Sequence, residues 1–564
     1  MKQKNFIISI IIILLCIIFY VPFLGDVPLF DWDELNFAES SREMIVSGNY
    51  ARVMVNFKPF WEKPPLFFWI QTVSMKIFGI GEFGARFPNV ICGIITLLMI
   101  FHIGRKYHDT LFGIFWSLSF VGSFLPHLYF KTGIIDPFFN LFIFSGVFFL
   151  FRTFHPDLET EREWEKNIST IQSYRNKQLM IAGFFIGTAI LTKGPVALLI
   201  SLLCLGVYFS VNHFKKFISF KEFIIFCFVS GFISLLWFGP ETYQNGFWFL
   251  GEFIRYQLAL AGTSQAGHGQ PFYYHFVVLF FGCFPSSIFA IFSLFTQREE
   301  SSLQRSLRIW MQILFWVVLL LFSIVTTKIL HYSSLCYLPM TYLSASTLYA
   351  IVSQRQNKES LLIKILVGMG ILYSVLFISL PFIGKMLPNF SDKTNDIYIK
   401  EAMKIQVDWG LSGIWIGILY LICNILFYLI FKKGKTKLAI GILFGGTAIA
   451  FELLLIYLIP KVNTYTQEAN VNFFKSLRNK DVYIEVLGHR SYGYLFYSDK
   501  QPSKTPGMDE KHWLVYGDID KPAYFVVKKS NVLKEIFNPE LRLIKEENGF
   551  CFYERLPKVR EGVP

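Results

Sequence analysis

The chain has 564 residues, of which 53% are hydrophobic and 18% aromatic, and a formal net charge of +13. A mean hydropathy of +0.45, carried by repeated long apolar runs, excludes an ordinary soluble enzyme and predicts a polytopic α-helical membrane protein. The basic excess gathers in short links between apolar runs, which is the positive-inside pattern and not a nucleic-acid patch.

The first apolar run, 5–24, follows Lys2 and Lys4. It is long for a signal-peptide core and no small-x-small cleavage site precedes the acids beyond it, so it reads as a retained span. Further apolar segments lie at 86–104, 110–129, 134–153, 178–193, 195–213, 221–239, 272–297, 308–327, 333–353, 361–383, 411–431 and 437–460. Together these make about thirteen spans near the length that a bilayer requires. With the N-terminus in the cytoplasm, "GRKYHD", the stretch from Arg152 to Lys177, "KKFISFK", "QREESSLQRSLR", "QRQNKES" and "KKGKTK" face inside. An odd number of spans then sends the tail outside. Cys16, Cys92, Cys204, Cys227, Cys283, Cys336 and Cys423 fall in apolar runs and Cys551 in the tail, so no disulfide framework is expected.

This divides the chain into a membrane domain, 1–461, whose first outer loop spans 25–85, and a tail domain, 462–564. In the loop, "PPLFFWIQTVSMKIF" is short for a span and opens on Pro64 and Pro65, which predicts an interfacial helix. In the tail, "DVYIEVLG", "SYGYLFYS", "AYFVVKK" and "GFCFYERL" read as strands and "NVLKEIF" as a short helix, a small α/β domain.

Each polar residue near the spans has a plain structural reading. Asp31 or Asp33 would cap the helix "ELNFAESSREMIV", with Glu34 in its first turn. Lys63 would snorkel beside Trp61 and Trp69, Asp136 would cap the fourth span ahead of Pro137, and Lys193 would sit in a tight hairpin before Pro195. His268, Lys328 and His331 would be loop residues. These readings do not explain sidedness. Under the topology set by the inner lysines and arginines, Asp33, Glu34, Glu62, Lys63, Asp136, Lys193, His268, Lys328 and His331 all reach one outer face. Ionisable groups at membrane depth mark a substrate path or reaction site. Carboxylates beside lysines suit removal of a hydroxyl proton coupled to neutralisation of a departing phosphate.

"DELNFAESSREMIVSGNY", "PFWEKPPLFFWIQTVSMKIFGIGEFGARFPN", "LTKGPVALL" and "HGQPFYYH" resemble the motifs of the bacterial branch of the dolichyl-phosphate-mannose protein mannosyltransferase superfamily, in particular its lipid A aminoarabinose transferase (ArnT-like) group. The resemblance is dense over 31–90 and patchy to about 340. It implies a GT-C fold of about thirteen transmembrane helices, juxtamembrane helices in the first outer loop and a C-terminal periplasmic domain. It also implies a multi-pass protein of the bacterial inner membrane, working at its periplasmic face on a polyprenyl-phosphate-linked sugar donor. On the matching motifs it makes Asp33, with Glu34 and Asp136, the catalytic acids. Lys63 and Lys193, with Lys328 in support, become donor-phosphate contacts. Glu62 and His268 become candidate ligands for a divalent metal ion, and Arg255 and His331 further site candidates. The chain departs from the family pattern at Asn36 and Phe37, where Arg and Tyr are usual, and at Phe253 in "GEFIRYQ", where the aminoarabinose enzymes carry a histidine.

The expected reaction is an inverting displacement that moves the sugar to lipid A, lipopolysaccharide or another periplasmic-face acceptor. Protein O-mannosylation is the alternative acceptor chemistry. A lipid or sugar flippase is the alternative class, and it would need polar groups through the bilayer midplane, where these spans carry few. No Walker A or Rossmann motif is present, so neither a nucleotide cofactor nor a nucleic-acid partner is expected.

Overall fold

The computed structural model describes residues 2–155, 168–213, 218–262, 269–295, 299–354, 359–502, 511–532 and 538–558. The membrane part runs α1 (Lys2–Tyr20), α2 (Asp33–Ser47), α3 (Leu66–Phe78), α4 (Glu82–Tyr107), α5 (Thr110–Val121), α6 (Phe124–Tyr129), α7 (Asp136–Phe154), α8 (Ile168–Lys193), α9 (Val196–Val211) and α10 (Phe220–Asn245). It continues through α11 (Trp248–Gly262), α12 (Tyr274–Gly282), α13 (Ser286–Phe292), α14 (Ser302–Ile324), α15 (Tyr337–Gln354), α16 (Glu359–Met386), α17 (Ile397–Met403), α18 (Ser412–Lys432) and α19 (Thr436–Thr466). A helix occupies each apolar segment read from the sequence. Among the described residues nine helices are long and apolar enough to cross a membrane, or ten if α12 and α13, bent by 109° to each other, form one broken span.

Local chemistry sets several helix starts. Asp109 caps α5 by accepting from Phe112 N, and Ser219 with Glu222, and Ser301 with Gln304, close capping boxes on α10 and α14. The expected caps of α2 and α7 do not form. Trp32 and Ile135 hold those cap positions, and Asp33 and Asp136 are the first helical residues, their carboxylates turned to other partners.

The expected loop helix is α3. It buries its polar Gln71, Thr72 and Ser74 and exposes Val73, Ile77 and Phe78, the reverse of a soluble helix and the arrangement that suits an interface with lipid. Gln71 explains the buried polar side: it accepts from the Ser41 hydroxyl of α2 at 2.7 Å and donates to Ala85 O at 2.9 Å. Glu452 of α19 lies mid-span, where Lys131 pairs with it at 2.6 Å and His127 Nε2 stands 3.3 Å from its second oxygen.

The first loop holds a short antiparallel pair, β1 (Met54–Val55) and β2 (Lys58–Pro59). The tail begins with α20 (Glu468–Ser476) and builds a four-stranded mixed sheet from β3 (Tyr483–Leu487), β4 (Ala523–Lys528), β5 (Arg542–Glu547) and β6 (Phe550–Arg555), in the order β3-β4-β6-β5. β3 pairs parallel to β4, and β6 antiparallel to β4 and β5. The sequence reading misassigned "SYGYLFYS", which forms the short helix α21 (Gly493–Tyr497). Its aromatic residues are all buried there, against α20 and the first loop, and that packing overrides strand propensity. β5 went unread because every residue in it is exposed. "NVLKEIF" lies mostly outside the described residues. All eight cysteines are free, Cys551 within β6.

One apolar core joins the tail to the first loop: Leu35, Ala38, Met75 and Ala85 pack with Phe474, Leu495, Phe496 and Tyr497. Beside it lies a buried ionic group, in which Arg42 clasps Glu39 at 2.7 Å and reaches Asp499 at 3.0 Å and Lys500 O at 2.8 Å.

Candidate active site

The three acids at the start of α2 have three different environments. Asp31 turns to the tail, its Oδ1 accepting from Tyr492 N at 3.0 Å. Glu34, one residue past Asp33, is saturated: Arg86 of α4 donates to Oε1 at 3.0 Å and Oε2 at 2.8 Å, and Phe30 N and Gly133 N complete the set. Burial pushes this carboxyl up, but the Arg86 guanidinium and the Phe30 and Gly133 amides together outweigh it and hold the group below the usual value. Asp33 turns its carboxylate toward a cavity. Its Oδ2 lies 3.3 Å from His331 Nε2.

His331 also stands 3.6 Å from Asp136 Oδ2. The other Asp136 oxygen, Oδ1, accepts from Lys193 Nζ at 2.6 Å. Lys193 ends α8, and Gly194 at φ 121° makes the turn that lets Pro195 open α9, as the motif predicts. The Lys193 ammonium lies 5.0 Å from the Tyr332 ring centre. Lys63 comes from the loop ahead of α3 and sits over the Tyr256 ring at 5.1 Å. Burial holds Lys63 below the ordinary lysine value and the Lys193 charge adds to the effect, while Glu62, Asp33 and Asp136 oppose it.

Two apolar-walled cavities flank this charged line. The larger, about 570 Å³, is lined by Asp33, Glu34, Arg86 and His331 and walled by residues such as Leu128, Leu455 and Ile459. The smaller, about 350 Å³, is lined by Lys63, Asp136 and Lys193 and walled by residues such as Leu199, Ile200 and Phe322. A hydrogen-bonded septum stands between them: Asn140 donates to Ser334 Oγ at 2.8 Å and to the Tyr129 hydroxyl, and Ser334 donates to His331 O at 2.5 Å.

The expected residues therefore divide. Asp33, Lys63, Asp136, Lys193 and His331 come together from five separate segments, with Glu62 beside Lys63. Lys328 is buried but lines neither cavity, donating to Val325 O at 2.7 Å and facing His275. Arg255 is exposed and paired to Glu252 on its own helix. His268 lies outside the described residues. Among the described residues no three His, Cys, Asp or Glu side chains converge as a metal site. Around Glu62 the described residues do not make up a ligand shell. Sequence reasoning left three contributors without a role: Arg86, inside the quoted "ARFPN"; Tyr256; and Tyr332, next to His331. An aromatic residue beside a cationic cluster was the available signal for the two tyrosines.

Residues 62–164 match the dolichyl-phosphate-mannose-protein mannosyltransferase family. The helical bundle with two loop helices, a charged cluster at one end and a tail sheet packed over that end is similar in fold to ArnT, and the chain is similar in sequence to ArnT-like proteins. ArnT from Cupriavidus metallidurans, solved bound to undecaprenyl phosphate, superposes with a TM-score of 0.73 over 97% of both chains at 16% identity. The undecaprenyl phosphate-alpha-4-amino-4-deoxy-L-arabinose arabinosyl transferase of Wigglesworthia glossinidia brevipalpis is 26% identical over 362 residues, 63% of this chain and 60% of that protein. The protein of the same name from Photorhabdus laumondii is 24% identical over 470 residues, 81% of this chain and 77% of that one.

Proposed function

We propose that the chain is an integral-membrane glycosyltransferase that moves a sugar from an undecaprenyl-phosphate donor to lipid A or a related glycolipid, at the periplasmic face of the bacterial inner membrane. The observation that carries this reading is the placing of Lys63 and Lys193, with Asp136, on the smaller cavity and of Asp33 and His331 on the larger, where the cations Arg86 and Lys131 are already paired to Glu34 and Glu452. Apolar walls with paired ammonium groups suit a polyprenyl chain ending in phosphate. Apolar walls ending at a carboxylate and an imidazole suit a lipid acceptor, which favours a glycolipid over a protein.

In the reaction, an acceptor oxygen entering from the larger cavity attacks the anomeric carbon. The bond from that carbon to the phosphate oxygen breaks, and the configuration inverts. Negative charge grows on the departing polyprenyl phosphate, where Lys63 and Lys193 stabilise it, with Asp136 holding Lys193 in place. The proton of an acceptor hydroxyl passes to Asp33, oriented by His331. An acceptor that is already anionic needs only the orientation. The names of the relatives support aminoarabinose as the sugar.

The experiment is mass spectrometry of lipid A from a strain lacking the gene and from one complemented with it. A sugar-sized mass that disappears and returns supports the reading. Unchanged lipid A together with a lost protein glycan moves the acceptor to protein, and no change in either overturns the transferase.

A further inference from the structure

Asp33 is approached through a segment, 27–32, that belongs to no helix or strand. It is nevertheless hydrogen-bonded at each of Val27, Pro28, Leu29, Phe30 and Asp31, mostly by partners distant in sequence. Arg86 donates to Val27 O at 2.7 Å and Pro28 O at 3.1 Å, and Glu34 accepts from Phe30 N at 2.9 Å. Those grips come from the membrane domain. The others come from the tail side. The Tyr497 hydroxyl accepts from Leu29 N at 2.7 Å, and Tyr492 N donates to the Asp31 carboxylate at 3.0 Å. Gln467 holds two points at once, donating Nε2 to Leu29 O at 3.0 Å and accepting Asp31 N at 3.3 Å.

Gln467 has a particular place in the chain. At φ −139° and ψ −7° it ends α19, the last span, and leads into α20, the first tail helix. Its amide meets Leu29 and Asp31 as a neighbouring strand would, one donor and one acceptor on alternate residues. An irregular segment left free would sample many conformations, at a cost of roughly 1–2 kcal/mol per residue to order it. Here that ordering is shared between two bodies, so the seating of the tail and the position of Asp33 are mechanically one quantity.

We propose that Gln467 is a positioning residue for the transfer reaction: its paired grip on Leu29 and Asp31 transmits the seating of the tail to the carboxylate of Asp33. The inference rests on Asp33 being the reacting carboxylate, and two readouts separate the two ideas. Full-length protein in nanodiscs carries Gln467→Ala or, as the milder variant, Tyr497→Phe. Amide hydrogen exchange is followed in peptides covering 28–33. Transfer is followed from undecaprenyl phosphate-linked 4-amino-4-deoxy-L-arabinose to lipid A. Exchange should accelerate at least tenfold in Gln467→Ala, and kcat per folded molecule should fall about 10- to 100-fold, because a displacement near 1 Å suffices for that loss. The donor KM should stay within about twofold, since the phosphate meets Lys63 and Lys193 and not this segment. Tyr497→Phe should move both readouts in the same direction by less. Unchanged exchange in both variants overturns the grip. Faster exchange with wild-type kcat overturns its coupling to Asp33. A wild-type protein that transfers nothing from this donor overturns the transferase reading instead, and the exchange result then decides the grip alone.

Discussion

His331 Nε2 lies 3.3 Å from Asp33 Oδ2 and 3.6 Å from Asp136 Oδ2, so one imidazole joins the carboxylates that face the two cavities. Asp33 caps nothing, which removes capping as the explanation for its charge. Asp33→Asn keeps the shape and loses the base. It should therefore leave expression and melting temperature unchanged while turnover falls by about two to four orders of magnitude. Near-normal turnover in the purified variant would assign Asp33 to acceptor orientation alone.

Glu34 should behave in the opposite way. Its oxygens are taken by Arg86 and two backbone amides, and both partners are buried. Removing one member of a buried pair leaves the other charge unpaired, at a cost on the order of 3–5 kcal/mol. Glu34→Gln should lower the melting temperature and the yield of folded protein, with the surviving fraction keeping most of its kcat. A stable but inactive Glu34→Gln would return the residue to the chemistry.

The contrast between these neighbours shows how far the sequence could be read. Helical periodicity and apolar length located the bundle, and "EKPP" and "TKGP" located the two lysines that the fold brings together. Asp31, Asp33 and Glu34, however, are chemically alike and nearly adjacent. What separates them is the direction of each side chain around the start of α2: one faces the tail, one a cavity, one Arg86. That direction depends on contacts with residues as distant as Tyr492, which no local pattern encodes. Lys328 failed for the converse reason. Its loop was assigned to the right face, but a face does not specify a cavity.

Lys63 gives a prediction with a sign. Burial, with Lys193 beside it, lowers its proton affinity in the free protein, and an arriving phosphate would raise it again. Donor binding then takes up a proton. Affinity should be highest on the acid side and fall as pH rises, beginning below the ordinary lysine range. Lys63→Met should weaken binding by about ten- to a hundredfold, the loss of one charge-assisted contact, and remove most of the alkaline dependence. Titration of undecaprenyl phosphate across pH tests both, and a Lys63→Met curve parallel to wild type would give the phosphate to Lys193.

The proposed orientation is checked by reporters. The cluster and the tail sit at one end of the bundle, so a fusion after Gly434, in the turn between α18 and α19, should report the opposite compartment from a fusion after Arg555 in β6. Cytoplasm for Gly434 and periplasm for Arg555 are expected. The reverse pair would put the site on the wrong side for a periplasmic acceptor.

The last prediction concerns Glu43, buried where α2 meets the tail. Its Oε2 accepts from Phe57 N at 2.8 Å, its Oε1 has no hydrogen-bond partner, and Glu39 is already clasped by Arg42. Burial, reinforced by the Glu39 charge, pushes the Glu43 carboxyl from its ordinary 4.5 up to about 9. It is therefore neutral in the folded protein at pH 7 and ionised in the unfolded chain, and folding must take up a proton. The sign follows from linkage: a raised folded value gives a stability contribution that is complete below about 4.5 and lost as pH climbs to about 9. Glutamine copies the neutral acid, can donate toward Glu39 and has no proton to recover. Glu43→Gln should thus fare better relative to wild type at pH 8.5 than at pH 5.5, by on the order of a few kcal/mol, and should destabilise at the lower pH, where most of the wild-type linkage contribution is still present. Thermal unfolding of both proteins in the same detergent at those two pH values measures it. A variant less stable than wild type by the same amount at both would mean that Glu43 is ionised in its pocket and held by Arg42.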